Sequence, residues 1–239
     1  MKKTLIATAL LASSSAALAE VSGNVTLASD YVFRGISQTD SQIAIQGGLD
    51  YAHPTGLYAG TWASNVDPDF FNGEGHDPQI ELDLYAGYSG ELPSGFGYDL
   101  GYLRYEYPGF NDADTNEVYL TGSYMGFSLS VNYSDELNFI ASDESAWYWK
   151  AAYDTTLPWY EIGLSAHLGY SAGDAFDDSD GDGFDDTYTD WSIGFSKTLA
   201  GVDLGLAYTD TDFSDSDDED LVGEHNSDAR VVFTIGKSL

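Results

Sequence analysis

From Glu20 onward, apolar and polar residues alternate with a period of two in one segment after another, the pattern of strands whose two faces meet different surroundings. The clearest case sets Phe127, Leu129, Val131 and Tyr133 against Ser128, Ser130, Asn132 and Ser134. Ile80, Leu82, Leu84, Ala86 and Tyr88 likewise oppose Glu81, Asp83, Tyr85, Gly87 and Ser89. The same reading along the chain predicts twelve strands, near 21–36, 42–52, 57–65, 78–89, 96–107, 115–124, 127–136, 144–155, 160–170, 187–198, 202–212 and 227–238. No helical period competes with them.

The connections carry a second pattern. Short ones, 53–56, 90–95, 125–126, 156–159 and 199–201, alternate with long ones, including 66–77, 108–114, 171–186 and 213–226. Short turns at one end and long loops at the other predict an antiparallel transmembrane β-barrel of the outer-membrane type, with periplasmic turns and acidic extracellular loops. A soluble β-sandwich also alternates, but its two ends have no reason to differ so regularly. Residue size separates the two further. One row is bulky (Leu, Ile, Val, Phe, Tyr, Trp), the other mostly Gly, Ser, Thr, Asp and Asn. Bulky apolar residues outside and small polar residues inside describe a wet lumen bounded by lipid.

The first residues fix the expected compartment. Lys2 and Lys3 precede the apolar run Leu5 to Ala12, and Ala17, Leu18 and Ala19 form a small-residue cleavage site. This is a secretory signal peptide, residues 1–19, with the barrel domain at 20–239. The run is too short to span a bilayer as a helix, so membrane residence has to use strands. The expected location is the outer membrane of a Gram-negative bacterium, with lipid and lipopolysaccharide as surroundings and the barrel-assembly machinery as a partner during biogenesis.

Composition narrows the function. The 239 residues hold 8 Lys+Arg against 40 Asp+Glu, a formal charge of −32, which excludes a nucleic-acid binder. The absence of cysteine removes thiol chemistry and disulfides. Past the signal peptide the basic residues are Arg34, Arg104, Lys150, Lys197, Arg230 and Lys237. By strand phase Arg34, Lys150 and Arg230 point into the lumen. Arg104 is ambiguous, because Tyr102 and Tyr105 cannot both face out without a bulge. Lys197 and Lys237 fall in outward rows, placed to snorkel to headgroups. Inward acids are Asp30, Asp50, Glu81, Asp83, Asp99, Glu161 and Asp203, and His167 joins them. These residues form either a charged constriction that selects small polar solutes or an internal salt-bridge network that fills a narrow barrel.

Two further features bear on chemistry. In DDSDGDGFDD, Asp178, Asp180, Asp182 and Gly183 match the start of a calcium loop, and Asp186 adds an oxygen. The bidentate Glu of such loops is missing, since Thr189 stands there, so the expectation is weak Ca2+ binding, set against a merely solvated acidic loop. No cofactor is required. An outer-membrane hydrolase needs a histidine poised against a serine or a carboxylate. His53, His76 and His225 lie in turns or loops, and His167 faces inward beside Ser165. No enzyme is expected.

The segment Ser22 to Asp40, SGNVTLASDYVFRGISQTD, strongly resembles the opening of the TorF-like porin family, a conserved bacterial family of unknown function. The shared pattern is S-x-N-V-x-L-x-S-D-Y-x-F-R-G-x-S-Q. Elsewhere the likeness is confined to length, Tyr/Gly-rich strands and acidic loops. The resemblance implies an outer-membrane β-barrel and brings no catalytic or substrate-binding residues. The chain departs from many barrels in finishing on Leu239 rather than Phe, an atypical barrel-assembly signal. The function expected is a porin-like channel for passive diffusion of small hydrophilic solutes, preferring cations. The alternative is a non-conducting structural or adhesion barrel that displays acidic, divalent-ion-binding loops.

Overall fold

A computed structural model describes residues 19–68, 78–137, 144–158, 160–176, 187–213 and 225–239. Its strands are β1 (Glu20–Ala28), β2 (Val32–Phe33), β3 (Ile36–Ser37), β4 (Ala44–Ala52), β5 (Leu57–Asn65), β6 (Ile80–Glu91), β7 (Gly97–Glu106), β8 (Thr115–Tyr124), β9 (Phe127–Ser134), β10 (Ala146–Leu157), β11 (Ile162–Ala172), β12 (Tyr188–Leu199), β13 (Val202–Thr211) and β14 (Arg230–Ser238). All but β2 and β3 form a closed antiparallel barrel of twelve strands in which each pairs with its chain neighbours. Closure joins β1 to β14, with Asn24 opposite Ser238 and Ala28 opposite Thr234. Among the described residues no helix is long and apolar enough to cross a membrane.

Two of the tightest turns show how the sequence sets the geometry. Met125 and Gly126 have φ of 51° and 88°, and Ala200 and Gly201 have 52° and 79°. Two consecutive positive-φ residues make the turn whose twist matches that of paired strands, and glycine takes the second position at no steric cost. Both lie at the end of the barrel that holds the short connections and both termini, called here the turn end. The other, the loop end, carries the connections 29–43, 66–79, 107–114, 135–145, 173–187 and 212–229.

The alternation sorts the side chains as expected. Val25, Leu27, Leu49, Leu84, Leu120, Leu129, Trp149, Leu168, Ile193, Leu206 and Phe233 all point outward and are exposed, so the barrel presents an apolar outer surface around its girth. The inward rows are more aromatic than expected. Tyr58, Trp62, Tyr85, Tyr105, Tyr119 and Tyr148 share the inward phase with Ser64, Glu81, Glu117 and Lys150.

The expected first strand, 21–36, is the one element that differs in kind. It ends at Ala28, and the chain then folds into the barrel mouth as the two-residue ladder β2–β3, Val32 opposite Ser37 and Phe33 opposite Ile36. Its tip is again an X-Gly turn, with Arg34 at φ 47° and Gly35 at φ 86°.

Candidate functional site: the lumen and its inserted hairpin

The hairpin spans the loop end of the lumen and touches most of the wall. Its base is held by Asp30, 6% exposed, which accepts hydrogen bonds from Ser37 Oγ (2.7 Å) and Thr39 Oγ1 (2.8 Å) and an ion pair from Arg230 at 2.7 Å. Arg230 also donates to the carbonyls of His225 and Asn226, both at 2.7 Å, tying the base to the connection before β14. Tyr31 donates to Glu81 on β6 at 2.7 Å and meets Trp62 edge-on at 5.3 Å. Burial pushes the Tyr31 hydroxyl's pKa well up, and Glu81 and Asp83 push it further, so it stays a donor.

At the tip, Arg34 reaches across the lumen. Its guanidinium pairs with Glu117 on β8 and lies over the rings of Tyr148 (4.2 Å) and Phe33 (4.7 Å). Burial is the largest influence and opposes that charge; Glu117, Tyr105 and Tyr148 together outweigh it and raise the Arg34 pKa. Glu117 also accepts from Asn132 at 2.6 Å, so a fully desolvated carboxylate is paired and hydrogen-bonded, as burial demands. A Cβ built on Gly35 would sit 2.9 Å from Asp190 Cβ and 3.0 Å from Thr211 Cβ, so the tip is pressed against β12 and β13.

Above the hairpin the loops contribute their own apolar residues. Val66, Tyr107, Ala113, Leu137, Phe176 and Phe213 are buried together with Ile36 of the hairpin and with Tyr105 and Tyr188 from the wall. The loop end of the lumen is therefore filled by a hairpin set in a small apolar core, a feature no single strand's alternation displays.

Below the hairpin the wall of β4 to β8 is built from tyrosines laid over glycines. Tyr85 lies opposite Gly60, and its hydroxyl passes over that glycine to donate to Asp50 on β4. Tyr58 lies opposite Gly87 and Tyr119 opposite Gly101. The two glycines face each other, so the two rings reach inward over them until their hydroxyls meet. Tyr58 also donates to Asp99 at 2.6 Å. A Cβ at any of these three glycines would collide with the ring laid over it. On the far side, His167 on β11 bonds Asp190 Oδ1 through Nε2 at 2.7 Å and Ser192 Oγ through Nδ1 at 2.8 Å.

The pore-lining candidates divide on this frame. Asp30, Glu81, Asp83, Asp99, Lys150, His167, Asp203 and Arg230 have the inward phase. Lys150 lies within the electrostatic reach of Arg34, Asp190, Asp154 and Glu117, and Asp203 accepts from Thr198 Oγ1 at 2.6 Å near the turn end. Asp83 Oδ1 is buried with no hydrogen-bond partner among the described residues. Three placements are corrected. Arg34 projects from the hairpin tip, not from the wall. Arg104 faces outward and pairs with Glu106 (2.8 Å) and Asp114 (2.7 Å); the ladder runs through Arg104 without a bulge, because Tyr105 turns inward into the apolar cluster. Glu161 lies in the turn before β11 at φ 51°, exposed. Asp178, Asp180, Asp182 and Asp186 lie outside the described residues, as do His76 and residues 1–18. Glu117, Asp154, Asp190 and the three tyrosines were missed, although Glu117 and Asp190 alternate with Val118 and Trp191 and were open to the same phase argument.

A family model described as a bacterial protein of unknown function, Gcw_chp, matches residues 12–239. The chain belongs to the Gcw_chp family. No curated protein matches this Gcw_chp chain. Among solved structures it is similar to the KdgM porin in complex with disordered oligogalacturonate, at TM-score 0.53 and 8% identity over 92% of this chain and 98% of that one. It is equally similar to the NanC porin, at TM-score 0.53 and 8% identity over 91% and 98%. At such identities the likeness is one of fold alone: the closed barrel of the Gcw_chp chain resembles these porins.

Proposed function

We propose that this protein is a porin-like channel of the bacterial outer membrane, passing small hydrophilic solutes and preferring cations. The observation that carries the reading is the sorting of side chains on the closed barrel: an apolar outer belt and a lumen of Ser, Thr, Gly, Tyr and carboxylates. Such a surface is costly in water and suits lipid, and a closed ladder leaves no strand edge unsatisfied in hydrocarbon. The loop end then faces outward from the cell, with lipopolysaccharide around it, and the turn end and termini face the periplasm. The resemblance of the opening segment to TorF-like porins agrees with this.

The solute's sign follows from the lumen. Oligogalacturonate, the solute named with the KdgM porin, is an anion. Here the inward acids Asp50, Asp99, Asp154, Asp190 and Asp203 outnumber Lys150 once Asp30 and Glu117 are paired with Arg230 and Arg34, which favours cations. His167 is read as a lumen histidine, not a catalytic base. In a Ser–His–acid triad the serine addresses Nε2 and the carboxylate Nδ1, the reverse of the arrangement with Ser192 and Asp190.

The filled loop end favours a second reading, a non-conducting barrel. Single-channel recording of the refolded chain in a planar bilayer separates the two. Stepwise cation-preferring conductance supports the channel. Silence from both the parent and a variant whose hairpin is loosened by Phe33→Ser and Arg34→Ser selects the closed barrel.

A further inference from the structure

We propose that the tyrosine wall below the hairpin is a binding site for organic ammonium ions, formed by the ring faces of Tyr85 and Tyr119 and the carboxylates of Asp50 and Asp99, with Tyr58 as the post that holds it. The proposal deepens the channel reading by naming a solute class, and it rests on that reading only for the solute's route.

The glycine trough is the first support. Tyr85 and Tyr119 lie against the wall because Gly60 and Gly101 leave room beneath them. A ring that covers its neighbour's backbone with one face turns the other towards the lumen. Both tyrosines, and both aspartates, remain partly exposed at this height, whereas Tyr58 is only 7% exposed.

The hydrogen-bond inventory is the second. Each hydroxyl of the wall has spent its proton: Tyr85 donates to Asp50, Tyr58 to Asp99, and the contact between Tyr58 and Tyr119 is then donated by Tyr119. Asp50 and Asp99 each accept through Oδ1, which leaves Oδ2 to the lumen. The four groups themselves thus offer ring faces and carboxylate oxygens and no free donor; the inward hydroxyls beside them, Ser22 opposite Asp50 and Ser89 and Thr121 opposite Asp99, are neutral. An anion finds no positive charge to hold it.

Charge is the third support. Neither aspartate takes part in the ion pairs of the described residues, and Arg34, Lys150 and Arg230 belong to the hairpin, β10 and β14. Two uncompensated carboxylates beside two aromatic faces match an alkylammonium group, whose weakly hydrated charge lies over a ring while a carboxylate balances it. A strongly hydrated K+ gains only the carboxylates.

Choline is the probe, with glucose as the neutral control, measured calorimetrically on the full-length refolded barrel in a tetraoxyethylene detergent and, in parallel, as channel blockade in bilayers. The expected result is saturable choline binding with none for glucose. Asp50→Asn with Asp99→Asn should abolish it. Tyr85→Leu and Tyr119→Leu, which remove a ring and leave both carboxylates in place, should each weaken choline roughly tenfold, which a purely electrostatic role would not do. Gel mobility of the folded barrel checks each variant, and Tyr85→Phe, which keeps the ring and loses only the hydroxyl, should retain most of the binding. No choline binding by the folded parent, equal binding by the leucine variants, or comparable glucose binding overturns the site. A silent bilayer with choline bound in micelles defeats the channel and leaves the site; a conducting barrel indifferent to choline does the opposite.

Discussion

Arg34 keeps 10% of its side chain exposed and its partner Glu117 keeps 3%, while Arg104 keeps 34% beside a Glu106 at 33%. The two arginines form similar contacts in different dielectrics, and this decides what each contributes. Removing one partner of a buried pair strands the other charge, at a cost of about 3–5 kcal/mol. An exposed pair is worth about 0–1 kcal/mol. Arg34→Ala is therefore expected to lower the barrel's unfolding free energy by about 3–5 kcal/mol in urea titrations monitored by tryptophan fluorescence, and Arg104→Ala by about 1 kcal/mol at most. Arg34→Lys should recover only part, because an ammonium restores a charge beside Glu117 but lacks the planar guanidinium that lies over Tyr148 and Phe33. Equal losses for Arg34→Ala and Arg104→Ala would mean that the hairpin is not docked as described. The same logic separates glycines. Gly87→Ala, whose new methyl meets Tyr58 and the carbonyl of Leu100, should cost roughly 1–3 kcal/mol as an overpacked site does and break the Tyr58–Asp99 bond.

At the level of elements the hairpin fills the loop end of the lumen, and its tip gives a direct test. The chain has no cysteine, and the Cβ position of Gly35 lies 3.0 Å from that of Thr211, slightly closer than the about 3.5–4.5 Å of a disulfide. Gly35→Cys with Thr211→Cys should cross-link efficiently on oxidation after a small outward shift of the tip. If the hairpin is a fixed constriction, conductance before and after cross-linking should agree; a fall on oxidation that dithiothreitol reverses would make it a moving gate. The hairpin also marks where reading by period stops. Strands such as β8, β9 and β13 fall where the alternation puts them, because a wall with lipid on one side and water on the other imposes a period of two. Beyond Ala28 the chain leaves the wall; Tyr31 and Phe33 keep the period, Ile36 breaks it, and all three pack into an apolar core inside the mouth. That break and Gly35 in a supposed strand interior, a residue that marks a turn or a bulge, were the local cues. Tyr58 and Tyr119 escaped for a related reason, whereas Tyr85 already stood in the row of Glu81 and Asp83. A tyrosine reads as an outward aromatic unless its cross-strand glycine and its acceptor, Gly87 and Asp99 for Tyr58, are read with it, and those pairings come from the register.

For the whole molecule, orientation and field are the properties to test. Asp112 is exposed in the 107–114 connection and Ser94 in the 92–96 turn. With the loop end outward from the cell, Asp112→Cys should label with an impermeant maleimide on intact cells, and Ser94→Cys only after lysis; the opposite result inverts the barrel. The field follows from how the charges are spent. Asp30 and Glu117 are neutralised by Arg230 and Arg34 at the loop end, and Lys150 stands against Asp154 and Asp190. Among the described lumen residues, what remains charged and uncompensated is Asp50 and Asp99 on the tyrosine wall and Asp203 near the turn end; Glu81 and Asp83 are buried side by side with no base against them, where two carboxylates do not both ionise. At 10 mM salt the screening length is about 30 Å and at 1 M about 3 Å, so in dilute salt these carboxylates act on the whole lumen and in concentrated salt each acts only on its own surroundings. Reversal potentials across a KCl gradient should therefore report K+ preference at low salt that decays towards the ratio of free mobilities at 1 M. Asp50→Asn with Asp99→Asn should weaken the low-salt preference and leave the high-salt limit unchanged. Chloride preference in dilute salt would mean that Arg34, Lys150 and Arg230 govern the conducting path, which would then run beside the hairpin tip and not along the tyrosine wall.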